Sequence, residues 1–361
     1  MLKRCLMGSG AVALLLAMGV PSTGNAQPSL RGVTRLMDNG TPHLVVSGSG
    51  FGGREFNNAN GAFLNAAWHN FEDGNLEGGN LRLEQKATYQ WTVESSENKQ
   101  GSRYHAQKVY VDNEGGELYL MQSGTTGVWF VSFWMRVKSA QDQQSGKFFR
   151  IWGDHSNAWI ATGAGELAIR GYSEYSTCSP TPTTVWGSPN HFVGNRWHRV
   201  DIEMKETPDW FAVYLDGKLQ WRRSSTLSGA EKQCWVVSPF NGNGHTLGLG
   251  GMLDAAWRNN NFGTRGSYKF DDIYVDYTLA RVEVGDAPTW SDCRHKEIQI
   301  PRQWSNSQIV VDFNQGSFAA GERVYLYIVD SEGRVSQGLP MIVPIGDGVA
   351  PAPPTQMRIV R

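Results

Sequence analysis

Hydrophobic and polar residues alternate with a period of two over much of the chain, most clearly in residues 197–223. In residues 199–205, apolar and charged side chains alternate, which is typical of a β-strand with one face in a core. A second alternation covers residues 211–215. Asp216-Gly217 follows it and supplies a two-residue turn. The stretch therefore predicts a three-stranded meander.

The same alternation assigns each charged residue of the first of these strands to a face. Val200, Ile202 and Met204 would point into the core. Asp201 and Glu203 would then lie together on the opposite, solvated face, which is the usual place for unpaired carboxylates.

Similar runs occur before and after the meander, and they predict further strands. They cover residues 104–111, 117–121, 128–137, 147–152, 159–162, 166–172 and 267–277. The chain also contains 42 Gly, 14 Trp and 12 Tyr residues. Short strands with many glycines between them predict an all-β chain, in which some aromatic residues serve sugars as well as cores.

One hairpin carries a family resemblance. A strand with the pattern Trp-His-x-Val-x-Ile, beginning at Trp197, is followed by one that ends in Tyr-Leu-Asp-Gly-Lys-Leu at Leu219. This hairpin resembles those of concanavalin A-like jelly rolls, a group that includes laminin G modules, legume-type lectins, β-glucanases and several polysaccharide lyases. The resemblance covers residues 67–280 and implies a jelly-roll sandwich. An unrelated β-sandwich with the same turn is the alternative.

A second resemblance involves both ends of the chain. Residues 43–52 end in Gly-Ser-Gly-Phe-Gly and resemble the opening of an immunoglobulin-like IPT/TIG domain, with Phe51 closing the end of its sandwich. Residues 281–344 resemble the later strands of such a domain. The two resemblances together imply one discontinuous domain, 29–66 and 281–344, with the jelly roll 67–280 inserted. The alternative is an N-terminal strand pair that packs on the jelly roll. Residues 345–361 read as a Pro-rich tail.

The N-terminal residues predict export. Lys3 and Arg4 precede an apolar run at residues 11–20, and small residues follow at 24–26, so residues 1–26 are expected to be a cleaved secretory signal. The apolar run is too short to span a membrane, and no membrane insertion is expected. The formal net charge is −1 before Lys3 and Arg4 are removed. This balance argues against a nucleic-acid partner, which would favour a basic surface.

Three cysteines lie beyond this predicted signal. In an oxidising compartment two of them should pair, and Cys178 with Cys234 is the pairing we predict because both lie in loops that flank the meander. Cys293 is left over, and it would be buried, free or paired with another chain. A zinc site needs more ligands than these residues offer.

Two catalytic patterns of jelly-roll enzymes have partial counterparts in the chain. Laminarinase-like glycosidases project alternate carboxylates from one strand, but Arg199 stands where their nucleophile belongs. Alginate-lyase-like enzymes use an Arg-rich strand, a Gln-x-His strand and a Tyr-x-Lys strand, and those strings are absent. Fragments of lyase chemistry remain, each also an ordinary sandwich residue: Arg150, His155, Arg170, Tyr172 and Tyr268-Lys269.

Binding a polysaccharide without cleaving it requires only aromatic platforms and hydrogen-bond donors on one face of a sheet. Phe148, Arg150 and Trp152 are predicted to share one face of their strand, and Arg170 and Tyr172 one face of the next, where they would offer aromatic platforms and guanidinium donors. Neighbouring loops would add further groups. The candidate carbohydrate-binding residues are Arg150, Trp152, His155, Trp159, Arg170, Tyr172, Trp257 and Arg258.

The sequence thus favours a secreted, non-catalytic protein that binds an extracellular or cell-surface polysaccharide. A polysaccharide lyase acting on an anionic glycan is the enzymatic alternative. A structural surface or matrix protein, with protein contacts through the immunoglobulin-like domain, is the second. No cofactor or catalytic metal is predicted. A structural calcium ion near Asp271, Asp272, Asp276 and Glu72-Asp73 stays open, although no Asp-x-Asp-x-Asp-Gly loop is present.

Overall fold

The chain is described by a computed structural model. It covers residues 27–38, 41–54, 67–83, 91–109, 117–121, 128–137, 147–152, 157–162, 169–174, 193–205, 210–224, 246–250 and 267–344. At some strand positions, among them 151, 152, 157–159 and 169–174, the description extends to the backbone only.

Most of the described residues lie in strands, and these residues include one short 3-10 turn at Trp290–Asp292. The strands are β1 (Ser29–Asp38), β2 (Thr41–Ser49), β3 (Ala67–His69), β4 (Arg82–Leu83), β5 (Trp91–Glu94), β6 (His105–Val109), β7 (Leu118–Met121), β8 (Val128–Val137), β9 (Lys147–Trp152), β10 (Asn157–Thr162), β11 (Ile169–Glu174), β12 (Trp197–Lys205), β13 (Trp210–Leu215), β14 (Lys218–Ser224), β15 (Thr246–Leu249), β16 (Ser267–Asp276), β17 (Arg281–Gly285), β18 (Lys296–Trp304), β19 (Gln308–Asp312), β20 (Arg323–Val329) and β21 (Leu339–Ile342). The all-β class predicted from the sequence is confirmed.

Two large antiparallel sheets form the first sandwich. One has six strands in the order β11-β10-β9-β15-β7-β4, and the other has eight in the order β14-β13-β12-β8-β16-β6-β5, with β3 paired to β16. Their facing sides build a single apolar core, which includes Phe133, Phe149, Ile202 and Leu247. This is the sandwich that the resemblance to concanavalin A-like jelly rolls implied.

The meander is confirmed as β12-β13-β14. Val200, Ile202 and Met204 are buried in the core, as their alternation required. Asp216 and Gly217 both have positive φ, at 50° and 73°. Two successive residues with positive φ are what a tight hairpin with the right-handed strand twist needs, so the Asp-Gly turn follows from its residue types.

A second, smaller sandwich has seven strands in the order β1-β2-β19-β18-β17-β20-β21. Strands from both ends of the described chain meet in it, since β2 pairs with β19 from Ser47 opposite Gln308 to His43 opposite Asp312. Phe51 is fully buried in its core, and Gly50 and Gly52 on either side have positive φ. The glycines let the chain turn so that Phe51 closes the end of the sandwich, as predicted.

The second sandwich packs on the outward face of the eight-stranded sheet. An apolar cluster joins them, with Phe130 and Tyr274 from the first sandwich against Leu279, Ile298 and Ile300. This contact corrects one expectation. Asp201 and Glu203 do lie opposite the core residues of β12, but they are only 5% and 7% exposed because the second sandwich covers that face.

A bulge in β9 corrects a second expectation. Pairing with β10 shifts between Ile160 opposite Phe149 and Ala161 opposite Lys147, so Phe148 is the extra residue. Both Phe148 and Phe149 are fully buried in the core. The prediction that Phe148 shares a face with Arg150 is therefore wrong, because an inserted residue breaks the period of two. Within the residues described, no helix has the length and apolar character that a membrane span requires.

The pairing of β2 with β19 predicts that residues 281–361 do not fold alone. Without β1 and β2, the smaller core would lose Leu44, Val46 and Phe51. Circular dichroism of this fragment should show no cooperative melting transition, and a synthetic peptide of residues 27–54 should restore one. A fragment that melts cooperatively by itself would contradict the interdependence of the two ends.

Candidate functional site

The outer face of the six-stranded sheet carries a row of paired positions that crosses every strand. Tyr172 lies opposite Trp159, and Trp159 opposite Arg150. Arg150 lies opposite Gly248, Gly248 opposite Tyr119, and Tyr119 opposite Arg82. We call these six positions the central row: Tyr172, Trp159, Arg150, Gly248, Tyr119 and Arg82. At a strand separation of about 4.8 Å, the row extends for about 24 Å.

The row belongs to the outer face because the residues beside it point inward. Phe149, Ile160 and Leu247 are fully buried in the core. Successive residues of a strand alternate between faces, so the positions between these core residues belong to the opposite face. The second sandwich packs on the other sheet, which places the central row on the far side of the jelly roll.

Two shorter rows flank the central row. On one side, Asn157 pairs with both Trp152 and Glu174, and Trp152 pairs with Thr246. On the other side, Ala161 pairs with Arg170 and Lys147. The outer face therefore combines aromatic, cationic and hydrogen-bonding residue types within a few strand separations.

The side chains described in the central row are partly accessible. Arg150 is 28% exposed, and its Nη1 lies 3.7 Å from Oε1 of Glu117, which is only 5% exposed. Tyr119 is half-buried and Arg82 is exposed. A guanidinium held beside a buried carboxylate has a restricted orientation, which reduces the entropy lost when it binds a ligand.

The structure places five of the eight candidate residues on the outer face. Arg150, Trp159 and Tyr172 occupy successive positions of the central row, and Trp152 and Arg170 occupy the flanking rows. Their role in binding stays a prediction. The other candidates, His155, Trp257 and Arg258, lie outside the described residues, as do Cys178 and Cys234 of the predicted disulfide.

Cys293 is described, and it is buried and free. Its thiol lies 3.5 Å from the carbonyl oxygen of Thr289 and 3.7 Å from the hydroxyl of Tyr327. Burial raises the pKa of this thiol. A buried thiol with a raised pKa has a small thiolate fraction, so Cys293 is poorly suited to nucleophilic chemistry.

Sequence reasoning missed three positions of the central row: Gly248, Tyr119 and Arg82. The alternation Leu118-Tyr119-Leu120 and the run Leu247-Gly248-Leu249 would have assigned two of them to the outer face. Their position next to Arg150 depends on β15 pairing with both β9 and β7, which nothing in the local sequence indicates.

Asp201 and Glu203, the alternate carboxylates of β12, form ion pairs at the contact between the sandwiches. Arg199 donates to Asp201 and to Glu283. Arg281 donates to Glu203, 3.4 Å away, and to Glu283. Burial alone would raise the pKa of Glu283, but Arg281 and Arg199 outweigh it and hold that pKa well below its usual value. These groups are buried where the two sandwiches meet, and they join one sandwich to the other.

A second ionic cluster surrounds Lys99. Its Nζ lies 2.8 Å from Oδ2 of Asp272 and 3.3 Å from Oε1 of Glu297, and it sits over the Trp134 ring. Asp271 is fully buried beside this cluster, and its Oδ1 accepts a hydrogen bond from the Asp272 backbone N–H. Burial and then the Asp272 carboxylate raise the pKa of Asp271 well above its usual value.

Three of the five carboxylates considered for calcium are thus paired with cations of the chain. Asp272 pairs with Lys99, Asp276 with Arg54, and Glu72 with Arg103. In the part of the chain that is described, no group of three or more His, Cys, Asp or Glu side chains is arranged to hold a metal ion.

Comparisons with known proteins find similarity to solved structures only. No family model matches the chain, and no curated protein matches its sequence. Among solved structures, it is similar to a cellulose-induced protein, Cip1, with 12% identity, a TM-score of 0.41, and coverage of 58% of this chain and 97% of that one. It is also similar to the PL-14 alginate lyase from Aplysia kurodai, with 8% identity, a TM-score of 0.43, and coverage of 58% and 98%. At these scores the names carry no functional argument.

The raised pKa of Asp271 predicts a stabilising substitution. The folded state holds this proton more tightly than the unfolded chain, so the stabilisation is complete below the unfolded pKa and is lost as pH rises through the folded pKa. Asp271→Asn keeps the acceptor for the Asp272 N–H and removes the titrating group. We expect its melting temperature to exceed that of the wild type by a few degrees at about pH 8, and the difference to shrink towards about pH 5.

Thermal unfolding across this pH range provides the measurement, with exposed Asp292→Asn as the matched control. The control should melt like the wild type throughout. An Asp271→Asn protein that is less stable than the wild type at the alkaline end would show that the buried group is needed as a charged carboxylate.

Proposed function

We propose that this protein binds a polysaccharide on the outer face of the six-stranded sheet without cleaving it. The observation that carries the proposal is the central row, which aligns Tyr172, Trp159 and Arg150 across three neighbouring strands. Aromatic rings stack on the apolar faces of sugars, and a guanidinium donates hydrogen bonds to hydroxyl and carboxylate oxygens. Both kinds of group at successive strands suit a long carbohydrate chain.

The length of the row supports a polymer as the ligand. One strand separation, about 4.8 Å, is close to the length of one pyranose ring, so six strands can contact several consecutive sugars. Contacts repeated along one chain add up, which allows useful affinity although each contact is weak.

We propose that binding takes place outside the cell. The expected secretory signal at residues 1–26 supports export, and so does a polymeric ligand, because extracellular and cell-surface polysaccharides are the carbohydrates that an exported protein meets. The second sandwich, which we propose to be the discontinuous domain 29–66 and 281–344, covers the opposite sheet and acts as a rigid support. The polysaccharide lyase remains the enzymatic rival, and a structural role remains the third class.

Affinity electrophoresis against a panel of uronate-containing and neutral polysaccharides tests the proposal, together with ultraviolet absorbance for unsaturated products. We expect retardation by at least one polymer and no product. Product formation would establish the lyase instead. Neither retardation nor product on a broad panel would contradict both functions and favour the structural role.

Replacing Arg150 and Trp152 together by Ala is expected to abolish retardation with only a small loss in melting temperature, which comes from the contact between Arg150 and the buried Glu117, because both positions belong to the outer face. Arg35→Ala, on exposed β1 of the other sandwich, is the matched control and should bind like the wild type. A large loss of stability in the double variant would reassign the two residues to a structural role.

A further inference from the structure

We propose that Lys99 and Asp272 condense after folding into an amide bond between their side chains, so that this cluster is a site of covalent self-modification. The site lies on the outward face of the eight-stranded sheet, beside the contact with the second sandwich. The inference is therefore independent of polysaccharide binding at the six-stranded sheet, and either can fail without the other.

The first argument is the contact between the two reacting groups. Nζ of Lys99 lies 2.8 Å from Oδ2 of Asp272. Glu297 and Trp134 hold the amine there, since Oε1 of Glu297 lies 3.3 Å from Nζ and the centre of the Trp134 ring lies 5.1 Å from it. A nucleophile that its surroundings fix beside an acceptor reacts as if it were present at a very high concentration.

The second argument is that water is excluded from the pair. The side chains of Lys99, Asp272 and Glu297 are all buried, and that of Asp272 is the most accessible at 8% exposed. A buried ammonium and a buried carboxylate each carry a cost of desolvation. Amide formation removes both charges together, so burial favours the condensed product over the ion pair.

Two other lysine ion pairs lack this environment. Nζ of Lys269 is also 2.8 Å from a carboxylate oxygen, Oε2 of Glu97, but the Glu97 side chain is 55% exposed. Lys205 pairs with Glu332, which is 58% exposed. Hydrated carboxylates stay ionised at neutral pH and are poor acceptors for an amine. Among the lysine ion pairs in the described part of the chain, that of Lys99 is the one with buried carboxylates.

The third argument is the backbone at Asp272. Its φ is 46°, a left-handed conformation that few residues other than glycine adopt. Pairing of β16 with β8 shifts between Asp271 and Tyr274, so β16 has a bulge here. In a regular strand Asp271 and Asp272 would face opposite sides, but the bulge lets the Asp272 carboxylate reach Lys99. Strained residues of this kind cluster where a fold positions a reactive group.

The loop that carries Lys99 is also held in place. The backbone N–H of Ser102 donates to the Lys99 carbonyl oxygen at 3.0 Å, which closes a turn. Gly101 in this turn has a φ of 90°, and a Cβ added to it would collide with the carbonyl oxygen of Gly316 in the second sandwich. Because the turn packs so closely against the second sandwich, the loop cannot carry Lys99 away from Asp272.

The bond forms with the loss of one water molecule. A proton moves from the Lys99 ammonium to the Asp272 carboxylate, which leaves an amine and a carboxylic acid. The Nζ lone pair attacks Cγ of Asp272, and the bond from Cγ to the protonated oxygen breaks. The hydroxyl departs as water with a second proton from the nitrogen, and the amide keeps the third. The reaction needs no oxidant, reductant or other co-reactant.

The pKa shifts indicate a slow reaction. Burial raises the pKa of Asp272, although Lys99 opposes this, and the protonated carboxyl is the form that can lose its hydroxyl. Burial would lower the pKa of Lys99, but Asp272 and then Glu297 outweigh it and hold that pKa above its usual value. The free amine is therefore a minor form, so condensation should continue after the chain has folded.

Mass spectrometry of the intact mature chain tests the proposal, with disulfides reduced, before and after prolonged incubation at neutral pH. We expect the incubated wild type to be lighter than its sequence by the mass of one water molecule. Tandem mass spectrometry of a tryptic digest should show a branched peptide that joins Lys99 to Asp272. An aspartyl succinimide also lacks one water molecule, so the branched peptide is the deciding observation.

Two variants remove the reacting groups. Lys99→Arg keeps the positive charge without the amine, and Asp272→Ala removes the acceptor, so each should have its full mass and no branched peptide. Lys205→Arg, in an exposed ion pair, is the matched control and should keep the mass deficit. Circular dichroism establishes that each variant is folded.

The wild type alone can overturn the proposal, whether or not the variants fold. A full mass after incubation, with no branched peptide, would show that the pair stays ionic. A branched peptide that joins Lys99 to Glu297 would overturn Asp272 as the acceptor. A mass deficit that persists in folded Lys99→Arg would assign the lost water to another site.

Discussion

Charged side chains on the outward face of the eight-stranded sheet are buried. The need to pair them explains why the second sandwich covers this sheet and leaves the six-stranded sheet uncovered by it. Buried charges are costly unless opposite charges and hydrogen bonds surround them. The second sandwich supplies those partners: Glu283 and Arg281 meet Arg199 and Glu203, and Glu297 meets Lys99. Removing the second sandwich would leave Arg199 and Glu203 without their Glu283 and Arg281 partners, so the stability of the jelly roll depends on this contact.

This pairing also decides where a ligand can bind. With the eight-stranded sheet covered, the outer face of the six-stranded sheet is the side of the jelly roll turned away from the second sandwich. The covered face of the eight-stranded sheet and the outer face of the six-stranded sheet also carry different residue types. On the covered face, acids and bases balance one another in close pairs. On the outer face, the central row carries aromatic residue types at Tyr172, Trp159 and Tyr119 and cationic ones at Arg150 and Arg82.

Local patterns predicted the strands well because a period of two reports burial on one face directly. Residues 128–137 and 147–152 were predicted with their observed bounds, and the Asp216-Gly217 turn followed from its residue types. The same reasoning failed at Asp201 and Glu203, since alternation shows that a face is opposite the core but not whether a second domain covers it. It failed again at Phe148, where a bulge adds one residue.

The candidate site could be predicted only in part, because local sequence does not show which strands pair with one another. Arg150 and Tyr172 were identified because they are aromatic or cationic residues on predicted strands. Gly248 has no side chain to attract attention, and its place between Arg150 and Tyr119 comes from pairing between distant segments. Which strands become neighbours is a property of the whole fold, so the continuous row from Tyr172 to Arg82 was visible only in the structure.

Hydrogen–deuterium exchange with a bound oligosaccharide, prepared from a polysaccharide that retards the protein in affinity electrophoresis, tests the central claim most directly. The account predicts slower exchange of backbone amides in β7, β9, β10 and β15, where the central row crosses the sheet, with unchanged exchange in β1 and β2 of the second sandwich. Slower exchange confined to the second sandwich, under conditions where the oligosaccharide is bound, would contradict it.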